Sequence, residues 1–209
     1  MNVSYLYKSR WWMKILFPSL IWEIKTTNKE IFLTFDDGPE PTVTPWVLDL
    51  LKEYDAKATF FCIGNNVTQH PDVYQRVLDE GHLTGNHTYN HENGWKTSTS
   101  KYIDSIKQCE LTFGSLFFRP PYGKIKSSQI KAINKNKFKI IMWSILSGDF
   151  DQSVTKEQSL EYTLRYAKPG AIIVFHDSLK AQEKLKYILP AILKDLSNKG
   201  YIFNSLPLE

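Results

Sequence analysis

The stretch IFLTFDDGPEPT, Ile31 to Thr42, decides how this chain is read. Ile31, Leu33 and Phe35 alternate with Phe32 and Thr34, and the run stops at Asp36, Asp37, Gly38 and Pro39. An apolar β-run halted by two acids and a Gly-Pro turn predicts a buried strand with carboxylates at its carboxyl end. In α/β folds that end is where chemistry collects. Adjacent carboxylates repel, so a half-buried pair calls for a cation or a base between them. The same residues also suit a turn in which Asp makes local hydrogen bonds. The stretch alone leaves both readings open.

Working outward, strands alternate with helical patterns. Leu20 to Lys25 has strand character, and a polar turn at Thr26 to Lys29 leads into Glu30 to Phe35, which predicts an amino-terminal β-hairpin. Thr44 suits a helix cap with Pro45 at the first helical position, followed by a stripe of Val47, Leu48, Leu50, Leu51 and Tyr54. Further strands are expected at Ala58 to Gly64, from His82, at Leu116 to Phe118, Lys139 to Leu146, Ala171 to His176 and Tyr201 to Phe203. Helices are expected from Pro71, from a cap at or near Ser100, from Ser127 and from Thr155. A carboxyl-terminal helix carries Leu185 to Leu196 and is restarted or kinked at Pro190. This order predicts one mostly parallel α/β domain, a barrel or a distorted one. Trp143 and Phe175 read as core, and His70 and His82 as surface or capping residues.

A chain of 209 residues, 42% apolar and 23% charged, is long enough for one substantial core. The formal charge of +4 is spread over lysines scattered among acids, which gives no nucleic-acid footprint. Cys62 lies in a buried strand and reads as a free thiol beside the only other cysteine, Cys109. Residues 1–18 read as a basic, aromatic extension to a domain spanning 19–209. The apolar run Trp11 to Trp22 is interrupted by Lys14 and Pro18 and falls short of the ~20 residues a membrane-spanning helix needs. Its Lys8, Arg10, Trp11, Trp12 and Lys14 suit a membrane surface as well as the domain's own. No small-residue cleavage site follows, so the expectation is a cytoplasmic or membrane-peripheral chain with no transmembrane segment.

The unusual polar residues keep one register. Asp36-Asp37, His87 and His91, Arg119 to Tyr122, Asp149-Phe150 and His176-Asp177 each follow a predicted strand, and in a parallel barrel those ends share one face. His87 and His91 are four apart, so on a helical turn both imidazoles would face the same way. With a carboxylate from another strand end they make a two-His, one-carboxylate set suited to zinc, with cobalt, manganese or iron as substitutes.

TFDDG at Thr34 to Gly38, HTYNH at His87 to His91, RPPYG at Arg119 to Gly123 and the strand ending in His176 resemble the polysaccharide deacetylases. These are the NodB-homology domains of carbohydrate esterase family 4. The resemblance implies a distorted (β/α) barrel and a metal-dependent hydrolase acting on an N-acetylated carbohydrate of chitooligosaccharide, peptidoglycan or glycoconjugate type. It makes Asp37, His87 and His91 the metal ligands, Asp36 the general base and His176 the general acid. Asp149 would orient His176, Arg119 would pair with Asp36, and the Tyr122 N–H would hold the oxyanion. Phe150 and Val174, with Pro120, would line a pocket for the acetyl methyl. Two residues depart from the fourth motif, commonly D-x-x-D-W: Leu146 replaces the first Asp and Phe150 the Trp. The alternatives are deacylation of another amide or of an O-acetyl ester at the same site, and a non-catalytic glycan-binding domain.

Overall fold

Strand β2, Glu30–Asp36, is buried on both faces, as its unbroken apolar run requires of a central parallel strand. In the computed structural model, which describes residues 8–208, β2 pairs in parallel with β8, Ala171–His176, on one edge. On the other it pairs with β3, Thr59–Cys62, and, near its start, with β9, Ile202–Asn204. The remaining strands are β1, Leu20–Ile21; β4, Leu83–Asn86; β5, Phe117–Phe118; β6, Lys139–Ile141; and β7, Ile145–Leu146. Their order is β1-β6-β5-β4-β3-β2-β8-β7, every named pair parallel, in a curved half-barrel.

The period of two divides the side chains. Phe32 of β2 and Ile172 of β8 point inward with Phe61, Phe117 and Ile141. Ile31, Leu33, Phe35, Ile173 and Phe175 point outward, under α2, Val43–Glu53, and α8, Gln182–Asn198. A second outer cluster joins α5, Thr99–Thr112, and α6, Ser127–Lys135, to β5 and β6 through Tyr102, Ile106, Phe118, Ile130, Ile133 and Ile140. The other helices are α1, Trp11–Leu16; α3, Gly64–Gln69; α4, Pro71–Asp79; and α7, Lys156–Tyr166. Pro71 opens α4, where no N–H is needed. Thr155 and Gln158 cap α7 reciprocally. α8 runs through Pro190 as one helix, with buried apolar residues on both sides of it.

Several expectations change. No amino-terminal hairpin forms: β1 pairs in parallel with β6, Leu20 opposite Ile140, and both edges of β2 are taken by β8 and by β3 with β9. Beyond β1 the chain crosses to the start of β8, where Glu23 bridges Ala171 and the Ile24 N–H donates to Gly170 O at 2.9 Å. This crossing closes the seam between the ends of the sheet. Lys139 to Leu146 is two strands rather than one. Thr44 lies inside α2 instead of capping it, whereas α5 is capped by Ser98, within the expected neighbourhood of Ser100. His82 is buried, not superficial: its Nδ1 accepts the Ala58 N–H at 3.2 Å, and burial, with Lys57 nearby, lowers its pKa to about 4. Both cysteines are free and buried. α1 has no buried residue and exposes Trp11, Trp12, Ile15 and Leu16. No described helix is long and apolar enough to cross a membrane.

Gly170 has a φ of +78°, and a Cβ there would sit 1.9 Å from Ile24 O. Gly200 has the same φ, with nothing nearer than 4.0 Å. Gly170→Ala is therefore expected to cost more than about 2 kcal/mol in urea unfolding, and Gly200→Ala about 1 kcal/mol for its left-handed backbone alone. Equal costs would contradict the seam contact.

Candidate active site

Register builds the site. β2 and β8 set Asp36 opposite His176, and β4 and β5 set Asn86 opposite Phe118, so the next residues, His87 and Arg119, leave the sheet together. All five strand-end clusters meet at this face. At the end of β2, Asp37 turns with φ 83°, and its carbonyl accepts from Asn66 Nδ2 at 2.8 Å.

Asp37, His87 and His91 each offer a ligand atom, and those atoms lie within 4.8 Å of one another. Asp37 Oδ1 is 3.2 Å from His91 Nε2 and 3.8 Å from His87 Nε2, buried and without a hydrogen-bond partner. His87 Nδ1 pairs with the Arg119 carbonyl at 2.9 Å, so it carries the proton and Nε2 keeps its lone pair for the cluster. His91 Nδ1 meets the Tyr122 hydroxyl at 3.1 Å. Burial lowers the His87 pKa to about 4, although Asp36 opposes this, so the ring is neutral near pH 7. For Asp37, burial acts upward, but the nearness of His91 and the charges of His176 and His87 hold it below the usual carboxylate range. A neutral imidazole and an ionised carboxylate are the forms a metal takes. The two histidines are not on a helical turn. Thr88 and His91 are both left-handed, at φ 64° and 59°, and this loop brings the rings to 5.1 Å.

Arg119 is fully buried beneath the triad. Its Nη1 donates to Asp36 Oδ1 at 2.6 Å and to Thr34 Oγ1 at 2.7 Å. Nε and Nη2 donate to the carbonyls of Ile141 and Met142, and the guanidinium lies 4.0 Å from the Phe61 ring centroid. Between β6 and β7 the chain changes partners: the Met142 N–H donates to Ile21 O at 2.7 Å and the Ser144 N–H to Ile172 O at 3.1 Å.

Opposite Asp36, His176 Nδ1 pairs with Asp149 Oδ1 at 2.8 Å, and Asp149 Oδ2 accepts the His176 N–H at 2.7 Å. Burial alone would lower the His176 pKa. The charge and hydrogen bond of Asp149, with Asp37 and Asp36 farther off, outweigh it and raise the value to about 9. Phe150 meets the imidazole edge-on at 4.8 Å. Val174, opposite Leu146, is buried on the same inward face one step below His176. Pro120 is buried, and Tyr122 is exposed with φ 59°.

Sequence reasoning missed the role of several supports. Asp177, fully buried, accepts the Gly38 N–H at 3.1 Å and the Thr44 hydroxyl at 2.6 Å, tying the Asp37 turn to β8. Burial and the Asp37 charge push it up to about 8 against the Thr44 hydrogen bond. Its place beside His176 was the only signal; Thr44 gave none, because it suits a cap. Ser105 of α5 holds the histidine loop, accepting the Tyr89 N–H at 2.9 Å and donating to Glu92 at 2.7 Å.

The parallel half-barrel and the polar face at its strand ends define a hydrolase of the deacetylase type. Residues 23–141 match the family described as polysaccharide deacetylase, and the chain belongs to it, a carbohydrate N-deacetylase family. The chain is 37% identical over 188 residues to a peptidoglycan-N-acetylglucosamine deacetylase of Bacillus cereus, covering 87% of this chain and 88% of that one. It is 32% identical over 206 residues to the chitooligosaccharide deacetylase of Azorhizobium caulinodans, covering 88% and 96%. A solved peptidoglycan N-acetylglucosamine deacetylase, in complex with 4-naphthalen-1-yl-N-oxidanyl-benzamide, superposes with a TM-score of 0.80 at 32% identity. The match covers 90% of this chain and 91% of that one.

Arg119→Met leaves Asp36 as a buried, unpaired charge and is expected to cost about 3–5 kcal/mol in urea unfolding. Arg76→Met removes exposed pairs with Asp49 and Glu80 and is expected to cost about 1 kcal/mol or less. Comparable losses would contradict the role of the buried pair.

Proposed function

We propose that this chain removes acetyl groups from N-acetylglucosamine units of a peptidoglycan- or chitooligosaccharide-type glycan, using a divalent metal held by Asp37, His87 and His91. The observation that carries the reading is a metal-suited triad beside two proton-transfer groups, each held by an ionic partner. Asp36 is held by Arg119 on one side, and His176 by Asp149 on the other. The buried, unpartnered Asp37 Oδ1 and the two imidazole Nε2 atoms fit zinc, which takes nitrogen and oxygen ligands and leaves positions open when three come from protein. Cobalt or manganese suits the same donors. The names of the relatives supply the substrate class. The N-hydroxyamide bound to one of them is a chelating group, which fits a metal at this place.

When bound, the metal supplies Lewis acidity, polarising the acetamide carbonyl and acidifying water. Asp37 commits its charge to that cation, which leaves Asp36 as the free carboxylate to take a proton from the attacking water. Arg119 keeps Asp36 oriented through a hydrogen bond that only the ionised fork provides. As negative charge builds on the former carbonyl oxygen, the backbone N–H of Tyr122 would donate to it, a contact worth about 3 kcal/mol of barrier. The nitrogen leaves as an amine only if it is protonated. His176, with Nδ1 committed to Asp149, has Nε2 to give that proton. Phe150, Val174 and Pro120 exclude water around the acetyl methyl. Phe150 is smaller than the Trp common at its position, and Leu146 removes a carboxylate.

Acetate release from N-acetylglucosamine oligomers is the direct test. Turnover should fall at least a hundredfold after chelation and return on adding zinc or cobalt; turnover that persists in metal-free protein would overturn the metal reading. The acid role fixes the sign of the pH dependence. His176 must be protonated, so kcat/KM is lost as pH rises through its pKa, at or below about 9, because a cation at the triad lowers a value that Asp149 raises. Asp149→Asn should move this alkaline limb to lower pH. An unmoved limb would show that another group provides the proton.

A further inference from the structure

We propose that Trp95 and Lys124 form a second sugar-binding position beside the reaction centre, taking the unit next to the one whose acetamide is cleaved. This rests on the function proposed above. Trp95 is 62% exposed and Tyr122 60%, and the two stand on the loops that follow β4 and β5, at the catalytic face. Tyr122 already touches the site, its ring centroid 4.5 Å from that of His91. Trp95 follows His91 by four residues, a span of at most about 14 Å. It also contacts the other loop, because its Nε1–H donates to Ile125 O at 3.2 Å.

The indole is therefore exposed but held. Its only polar atom is satisfied, and its backbone N–H donates to Asn93 Oδ1 at 3.1 Å. Gln129, fully buried, donates from Nε2 to Gly94 O at 2.9 Å and accepts the Lys126 N–H at 2.8 Å, clamping the Trp95 loop to the start of α6. Lys124 Nζ lies over one face of the indole, 5.5 Å from its centroid. An exposed apolar side chain is ordinary by itself; Trp95 is set apart by being pinned on the catalytic face through its indole N–H and through Gln129. Its order is arranged before any ligand arrives, so little more is lost on binding.

The chemistry selects a pyranose. Such a ring presents an apolar C–H face and a rim of hydroxyls, and the positively polarised C–H groups suit the electron-rich indole face that Lys124 leaves open. Lys124 would donate to the rim hydroxyls, or to an anionic substituent on that sugar. An isolated monosaccharide in the acetyl pocket could not reach this platform, whereas an oligomer could. Trp95 thus favours polymer over monomer without touching the reacting atoms.

The test compares wild type, Trp95→Ala, Trp95→Tyr and Lys124→Met, each loaded with zinc, on the N-acetylglucosamine tetramer and on an aryl acetate too small to span both positions. Trp95→Ala should raise KM for the tetramer about tenfold with kcat changed less than about twofold, consistent with one lost stacking contact. The aryl acetate rate should be unchanged, and Trp95→Tyr should recover part of the tetramer affinity. Lys124→Met should raise the tetramer KM alone, by a smaller factor. Proportional loss on both substrates would make Trp95 a structural residue and overturn the proposal, as would no loss on either. If wild type cleaves the aryl acetate but no glycan, the deacetylase reading fails. Calorimetric titration of the tetramer then decides the subsite separately: about tenfold weaker binding to Trp95→Ala supports it, and equal binding rejects it.

Discussion

The buried guanidinium of Arg119 is the constraint on which the rest of the architecture turns. A cation without solvent must be neutralised and have its donors met, and here Asp36, Thr34 and the carbonyls of Ile141 and Met142 do so. Meeting them fixes three things at once. Asp36 is locked beside Asp37 with a partner of opposite charge, so the two carboxylates need not share one. The carbonyls at the end of β6 are held on the same cation. The Arg119 carbonyl is placed to receive His87 Nδ1–H, which turns His87 Nε2 toward Asp37. One residue, through its side chain and its carbonyl, thereby positions the proposed base and one proposed metal ligand. Its contact with the Phe61 ring seats it against the apolar interior of the half-barrel.

Much of this was legible in the sequence because it follows from periodicity and strand ends. The apolar run ending in Asp36-Asp37 and the strand ending in His176 were each visible. Parallel register then forced Asp36 and His176 into adjacency. The union of the five clusters at one face needed only the alternation of strands and helices. What was not legible depends on contacts between distant segments. Leu20 to Ile24 has strand character, but nothing in it states that its partners are β6 and the start of β8 rather than its neighbour β2. The facing histidines were expected from helical spacing, yet two left-handed residues in a loop achieve the same end. Composition carries no signal for a conformation so dependent on Asn86, Ser105 and Glu92 around it.

The buried supports share that obscurity. Asp177, Thr44 and Asn66 come from three segments and converge on a single turn. Each has an ordinary local explanation, as a strand end, a cap and a helix residue. Membership in the polysaccharide deacetylase family and the half-barrel explain where the chemistry sits. The departures at Leu146 and Phe150 from the common motif are where this chain can differ from its relatives in what it accepts.

The central claim is that two adjacent carboxylates perform different tasks, Asp37 holding the metal and Asp36 moving the proton. Zinc titration of Asp36→Asn and Asp37→Asn, followed by acetate release from N-acetylglucosamine oligomers, tests it most directly. The account predicts that Asp36→Asn binds one zinc with near wild-type affinity and has no turnover, whereas Asp37→Asn loses zinc affinity by at least about tenfold. Equal loss of zinc in both variants, or normal turnover in Asp36→Asn, would contradict it.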